Sequence, residues 1–297
     1  MAILSEIPLG KFRIQMGLHL RQAMLINGML FNSEAWHCLQ KSHIDLLEKV
    51  DTSLLRSLFK SHSKTSVEFL HLETATMPIR FIISSRRLNY LHNILKRNPN
   101  EVLYRVYKAQ KENPLKGDFA ELVKADLEMI NATENKLKGM SKNKFKKYVK
   151  NKIREAAFKY LLSEKEELSK IKNIQYKKFK LQKYLRSKLF SDYHVEILSK
   201  LRSRNINVKN NFKSRYTKNG IQNLECSIDG CPVDIEDQKH LLQCKPLLEK
   251  LILMTNLKNA SYSDIFACVK KQKTITDVFI KLIDIRNKIL DEKHRNS

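Results

Sequence analysis

The stretch SHIDLLEKVDTSLLRSLF, residues 42–59, is written in the period of an α-helix. Ile44, Leu47, Val50, Leu54 and Leu58 recur at intervals of three and four, a stripe that no strand would bury. Ser42 stands where an N-cap is wanted. The same grammar extends on both sides. Upstream, KFRIQMGLHLRQAMLINGMLF (11–31) sets Phe12, Met16, Leu20, Met24 and Ile26 near one helical face. Downstream, Thr65-x-x-Glu68 is a capping box for the short turn SVEFLHLE. Pro78 suits the first position of an apolar helix over 78–97. Pro99, Pro114 and Gly117 then punctuate two shorter helices, near 100–110 and 118–131.

Composition points the same way. The 297 residues include only 7 Gly and 6 Pro, too few for the turns of a many-stranded barrel or sandwich, or for a Gly-rich cofactor loop. At 42% hydrophobic residues the chain can still bury a core. The expected fold is all-α: a helical unit over 1–132, a basic helical region and linker over 133–222, a Cys/His module over 223–250, and helices over 251–297.

The charge is strongly asymmetric. Lys plus Arg number 56 against 31 Asp plus Glu, a net +25. A pI near 9.8 favours a polyanionic partner, above all nucleic acid. From Lys136 to Lys188 there are 19 Lys and Arg against 4 Glu and no Asp, with no Pro and a single Gly. This segment reads as one or two long basic helices, broken near Ile171–Ile174. Lys142, Lys144, Lys146, Lys147, Lys150, Lys152, Lys177, Lys178 and Lys180 are its candidate phosphate contacts. Phe145, Tyr148, Phe158, Tyr160, Tyr176, Phe179 and Tyr184 are interleaved with them. Base stacking and inward packing compete for these rings, and helical spacing favours packing. Residues 203–222 are polar and Asn-rich and read as a linker with a turn at Asn219-Gly220. Ser261-x-x-Asp264 and Thr274-x-x-Asp277 are capping boxes for two terminal helices. No run is apolar enough to span a membrane and no secretory signal is seen, so an intracellular site, nuclear or cytoplasmic, is expected.

The sharpest local feature is CSIDGCPVDIEDQKHLLQC, with the spacing Cys226-x4-Cys231-x8-His240-x3-Cys244. Zinc takes four such ligands in a tetrahedron. Asp229-Gly230 can turn the chain so that Cys226 and Cys231 face one ion. His240 and Cys244, four apart, would share one face of a helix. Four protein ligands leave no open position, so the expected metal is structural zinc. The competing reading is three reduced cysteines beside a small apolar helix. Cys38 and Cys268 stand alone and are expected to be small buried hydrophobes.

No catalytic constellation is found. The histidines are scattered, and His62 and His71 are of the capping or packing type. No phosphate-binding loop or nucleophile elbow is present, and no two aspartates are adjacent. Arg80, Arg86, Arg87 and Lys96 form a basic face that can grip a backbone or pair with Glu48, Glu68 or Glu73.

Longer motifs add a family. The run R-Q-A-M-L-I-N-G followed by S-E-A-W (21–36), then S-K-T-x-x-E-F-L (63–70) and VYKAQKENPLKGDF (106–119), closely resembles the segment after the palm in LINE-type (non-LTR) retrotransposon reverse transcriptases. E-D-x-x-H-L-L-x-C (236–244) resembles the cysteine–histidine knuckle near their C-terminus. The resemblance is strong over 5–131 and looser over 133–250. It implies a helical thumb that holds a primer–template duplex, with Lys11, Arg13, Arg21, Arg80, Arg86 and Arg87 placed for backbone contacts. It does not extend to fingers, palm or endonuclease, so no catalytic aspartate is carried over and binding without catalysis is expected. The alternative class is a helical interaction protein that docks a separate palm, or another partner, through exposed thumb helices.

Overall fold

The structure is a computed structural model, and it describes residues 13–36, 39–211, 217–218, 221–222, 224–233, 235–254 and 260–295. It is all-α. The helices are α1 (Arg13–Leu20), α2 (Asn27–Met29), α3 (Lys41–Phe59), α4 (Val67–Thr74), α5 (Ile79–Leu95), α6 (Val102–Glu112), α7 (Phe119–Met129) and α8 (Glu134–Lys138). There follow α9 (Lys142–Glu166), α10 (Asp192–Arg202), α11 (Lys245–Met254) and α12 (Val269–Arg295). A π-helical turn, Arg21–Ile26, joins α1 to α2. The one ladder among the described residues pairs β1 (Thr217–Lys218) with β2 (Ile221–Gln222), antiparallel. It flanks the predicted Asn219-Gly220 turn, which itself lies outside the described residues.

Helix α5 is the hub of the N-terminal half, with α3, α6, α7, α9 and the 3-10 turn Ser33–Ala35 packed around it. Its start is held by a side chain from another helix: the Ile79 N–H donates to Glu48 Oε2 at 2.7 Å. One core joins Phe81, Leu88 and Leu91 of α5 to Val123 of α7 and to Phe145, Val149 and Ile153 of α9. It therefore runs across the expected boundary at 132/133. A second core gathers Ile14, Leu58 and Phe69 from the N-terminal helices with Tyr184, Leu198, Leu247 and Phe279 from the C-terminal ones.

Several local expectations are corrected. Helix α3 is capped by Gln40, not Ser42, through a reciprocal box with His43. Its buried face includes Asp51 and Thr52, whereas Val50 of the predicted stripe is exposed. In α1 and the π-turn the buried residues are Ile14, Gly17, Arg21 and Ile26, and the predicted Met16 and Met24 are 47% and 64% exposed. Phe12 lies outside the described residues. Ser66, not Thr65, caps α4, because Thr65 is buried and accepts from Asn205 Nδ2 at 3.1 Å. The basic region holds one long helix, α9. After Glu166 the chain turns and runs irregularly to the 3-10 turn Lys183–Arg186, pinned by buried Ile171, Ile174, Tyr176 and Tyr184. The Ser261/Asp264 box is present and opens the 3-10 turn Tyr262–Phe266. Thr274 lies inside α12, its hydroxyl donating to Lys270 O at 3.2 Å, and caps nothing.

Candidate metal centre and basic surface

The Cys/His module is built by a tight turn and a short helical turn brought face to face. Gly230 sits at φ +79°, where an L side chain is strained, and this left-handed residue lets the chain reverse between Cys226 and Cys231. The backbone closes the loop: Cys231 N–H donates to Ile228 O at 3.3 Å and Cys226 N–H to Val233 O at 3.0 Å. On the other side, Asp237 Oδ1 accepts from the His240 N–H at 2.6 Å and starts the 3-10 turn His240–Leu242. His240 and Cys244 are therefore linked by a 3-10 turn rather than set on one α-helix. The predicted four still converge. Cys226 Sγ and Cys244 Sγ are 4.0 Å apart. Cys231 Sγ and His240 Nε2 are 3.5 Å apart. All four ligand atoms lie within 4.8 Å of one another.

These separations fit a metal ion. Zinc–sulfur bonds of about 2.3 Å and zinc–nitrogen bonds of about 2.0–2.1 Å at tetrahedral angles place sulfurs roughly 3.8 Å apart, and sulfur and nitrogen roughly 3.5 Å apart. The donor set, three thiols and an imidazole, is soft to borderline, as zinc prefers. The hydrogen bond from Cys244 holds the Cys226 thiol down at about 5 and pushes the Cys244 thiol above its ordinary value.

The surroundings fix the cluster to the rest of the protein. Cys244 is fully buried in the second core with Leu241 and Leu247. Glu236 is buried, accepts from the Ser227 N–H at 2.9 Å, and is ion-paired with Arg286 of α12. Gln238 donates to Leu201 O of α10 at 2.8 Å. Nothing in the sequence marked these outer contacts, since Glu236 and Arg286 are fifty positions apart.

A second ligand-like group, Glu48, Asp51 and His71, is already satisfied. His71 bridges Glu48 Oε1 at 2.7 Å and Thr76 Oγ1 at 2.9 Å, and Asp51 pairs with Arg21. His71 is a packing residue, as expected, and His62 Nδ1 accepts from the Lys64 N–H at 3.0 Å. Cys268 is exposed rather than buried. Cys38 lies outside the described residues.

The candidate phosphate ligands divide by burial. Arg21 and Arg87 are corrected. Arg21 is buried in a bidentate pair with Asp51, at 2.5 and 2.6 Å, and Arg87 is buried 3.5 Å from Asp126. Both face carboxylates in the interior, and Asp126 is not one of the glutamates suggested for Arg87. Arg86 is half-buried against Leu30 O and Asn27 Oδ1. Arg13 donates to Ser57 O at 3.2 Å. Arg80 is exposed, with its guanidinium 4.5 Å from the Tyr160 ring centre. Lys11 lies outside the described residues. On α9, Lys142, Lys144, Lys146, Lys147 and Lys150 are exposed and none is within ion-pair distance of a carboxylate among the described residues, whereas Lys152 pairs with Glu155 at 2.8 Å. Lys177, Lys178 and Lys180 are exposed on the irregular segment. The interleaved aromatics pack inward. Phe145 stacks on His92 at 4.0 Å, Phe158 on Phe179 at 5.5 Å, and the Tyr176 hydroxyl donates to buried Glu73 at 2.6 Å. Among the described residues, no helix is long and apolar enough to cross a membrane.

No protein-family model matches this chain, no curated protein matches it, and no solved structure matches its fold.

Proposed function

We propose that this chain binds nucleic acid through phosphate contacts, with a structural zinc knuckle and no catalysis of its own. The observation that carries this reading is the run of exposed, carboxylate-free lysines along α9, in a chain of net charge +25. Ammonium groups held on a rigid helix neutralise phosphates and release counterions, which gives affinity with little sequence preference. Cys226, Cys231, His240 and Cys244 would hold the zinc. Bound there, the ion supplies folding free energy and fixes the thiols as thiolates. The four ligands complete its shell, and the Glu236–Arg286 pair ties the knuckle to α12.

The motifs at 21–36, 63–70 and 106–119 support reading the N-terminal helices as similar to the thumb of a LINE-type reverse transcriptase, and the targets as a primer–template duplex or RNA. A docking role for a separate palm or another protein is favoured by one observation. Met24 and Phe31, at 64% and 72% exposure, leave apolar surface uncovered at the end of these helices. The experiment is retention of purified chain on immobilised primer–template duplex, single-stranded RNA and a palm fragment. Retention on nucleic acid that is lost as salt is raised well above moderate levels supports the phosphate reading. Salt-insensitive capture of the palm fragment alone supports docking, and primer extension by the chain alone would contradict the non-catalytic reading.

A further inference from the structure

Helices α5 and α9 run antiparallel, since His92 faces Phe145 near one end and Phe81 faces Tyr160 near the other. Between them lies a cavity of about 600 Å³. Two rows of polar side chains line it, each spaced by four residues: Ser85, Asn89 and Asn93 from α5, and Lys142, Lys146 and Lys150 from α9. Four residues of helix advance about 6 Å, so each row presents one group per turn. The floor between the rows is closed by the His92–Phe145 stack, whose imidazole lies 3.3 Å from Met140 O. No described carboxylate pairs with the three lysines. A second cavity of about 310 Å³, lined by Glu34, Arg86 and Tyr90, shares Asn89 and Asn93 with the first.

We propose that this trough seats a single nucleic-acid strand, with Lys142, Lys146 and Lys150 on successive phosphates and the Ser85–Asn89–Asn93 row facing sugars and bases. This rests on the phosphate-binding reading above and deepens it. A row of three cations one turn apart suits a polymer of evenly spaced anions better than one free phosphate, which a single lysine would satisfy. A recess of this volume, within the roughly 300–1,000 Å³ of ordinary ligand sites, admits a nucleotide or two but not a duplex. Asn89, in the middle of its row, is held by its Nδ2 donating to Ser85 O at 2.6 Å.

The test is fluorescence anisotropy of the full chain with labelled oligouridylate across a salt series. The triple variant Lys142→Gln/Lys146→Gln/Lys150→Gln is compared with Lys116→Gln/Lys124→Gln/Lys288→Gln, which removes the same charge from exposed positions off α9. The trough triple should weaken binding at least about tenfold and reduce the log–log salt slope by about 2, three single-strand contacts at roughly 0.7 each, with the control much less affected. Asn93→Asp, a single exposed change that puts a carboxylate into the trough, should weaken binding in the same direction. If wild type binds and both triples lose affinity equally, the trough is overturned and the phosphate-binding function stands. If wild type does not bind at low salt, both fall together.

Discussion

Removing the Asp51 carboxylate is the perturbation with the clearest consequence for this fold. Asp51 is fully buried and Arg21 is 3% exposed, and the two are joined by hydrogen bonds of 2.5 and 2.6 Å. In Asp51→Ala the guanidinium stays inside with one weak contact, to Met77 O at 3.4 Å. An uncompensated buried charge of this kind costs about 3–5 kcal/mol. That is a large share of the roughly 5–15 kcal/mol that holds a domain folded. The double variant Arg21→Met/Asp51→Leu removes both charges and fills the space, so most of that loss should return, and a neutral or stabilising result is in range. Equilibrium urea unfolding reads both, using far-UV circular dichroism and the fluorescence of Trp36, the single tryptophan, which packs against the Ile26–Ile83 cluster. The double variant should also keep full nucleic-acid affinity, because Arg21 faces the core. The reasoning is refuted if Asp51→Ala costs under about 1 kcal/mol, or if the double variant is no more stable than the single.

Purified chain should carry about one equivalent of zinc by metal analysis, and Cys231→Ser with His240→Ala should abolish it; protein isolated under zinc-replete conditions with none bound would defeat the assignment. Gly17→Ala should destabilise by about 1–3 kcal/mol, offset in part by better helix propensity, since the added Cβ would sit 2.2 Å from Leu58 Cδ2; an unchanged urea midpoint would mean that Leu58 moves aside freely. The Arg87–Asp126 pair should behave differently from Arg21–Asp51. Burial pushes the Asp126 carboxyl up against the opposing pull of Arg87, and burial also pulls the Arg87 guanidinium down. The folded chain then holds the Asp126 proton longer than the unfolded one. This group's contribution is therefore largest below the ordinary aspartate range and falls as pH rises through the raised value. Arg87→Met/Asp126→Leu should flatten that acid-side slope and leave stability near neutral pH unchanged or about 1 kcal/mol higher; a steeper slope would contradict it.

The helices were legible because their period, caps and scarcity of Gly and Pro are local signals. Helices α6 and α7 lie within two residues of where proline and glycine punctuation placed them. The buried faces of α1 and α3 were legible in part: Leu54, Leu58 and Ile26 are buried as their stripes predict, and the misses share one reason. Apolar periodicity assumes that every core position is apolar, and here Gly17, Arg21 and Asp51 are among them. Glycine supplies a close approach to Leu58, and the ion pair neutralises itself across two helices, so the apolar stripe of Met16, Met24 and Val50 is left facing outward. The π-turn at Arg21–Ile26 shifts the phase further. The convergence of the four Cys and His residues was legible because their spacing is a sequence property, whereas Glu236–Arg286 and Glu73–Arg202 depend on residues far apart in the chain. For the same reason the α9 lysines were identifiable as a group, but the trough that three of them share with α5 was not.

The most direct measurement is the affinity of the purified chain for a labelled primer–template duplex and for single-stranded RNA from low to moderate salt. The account predicts micromolar or tighter binding at moderate salt, with a steep negative log–log slope equivalent to several released counterions and little dependence on sequence. Absence of binding at low salt, or an affinity that does not change with salt, would contradict it and leave the +25 charge without a phosphate partner.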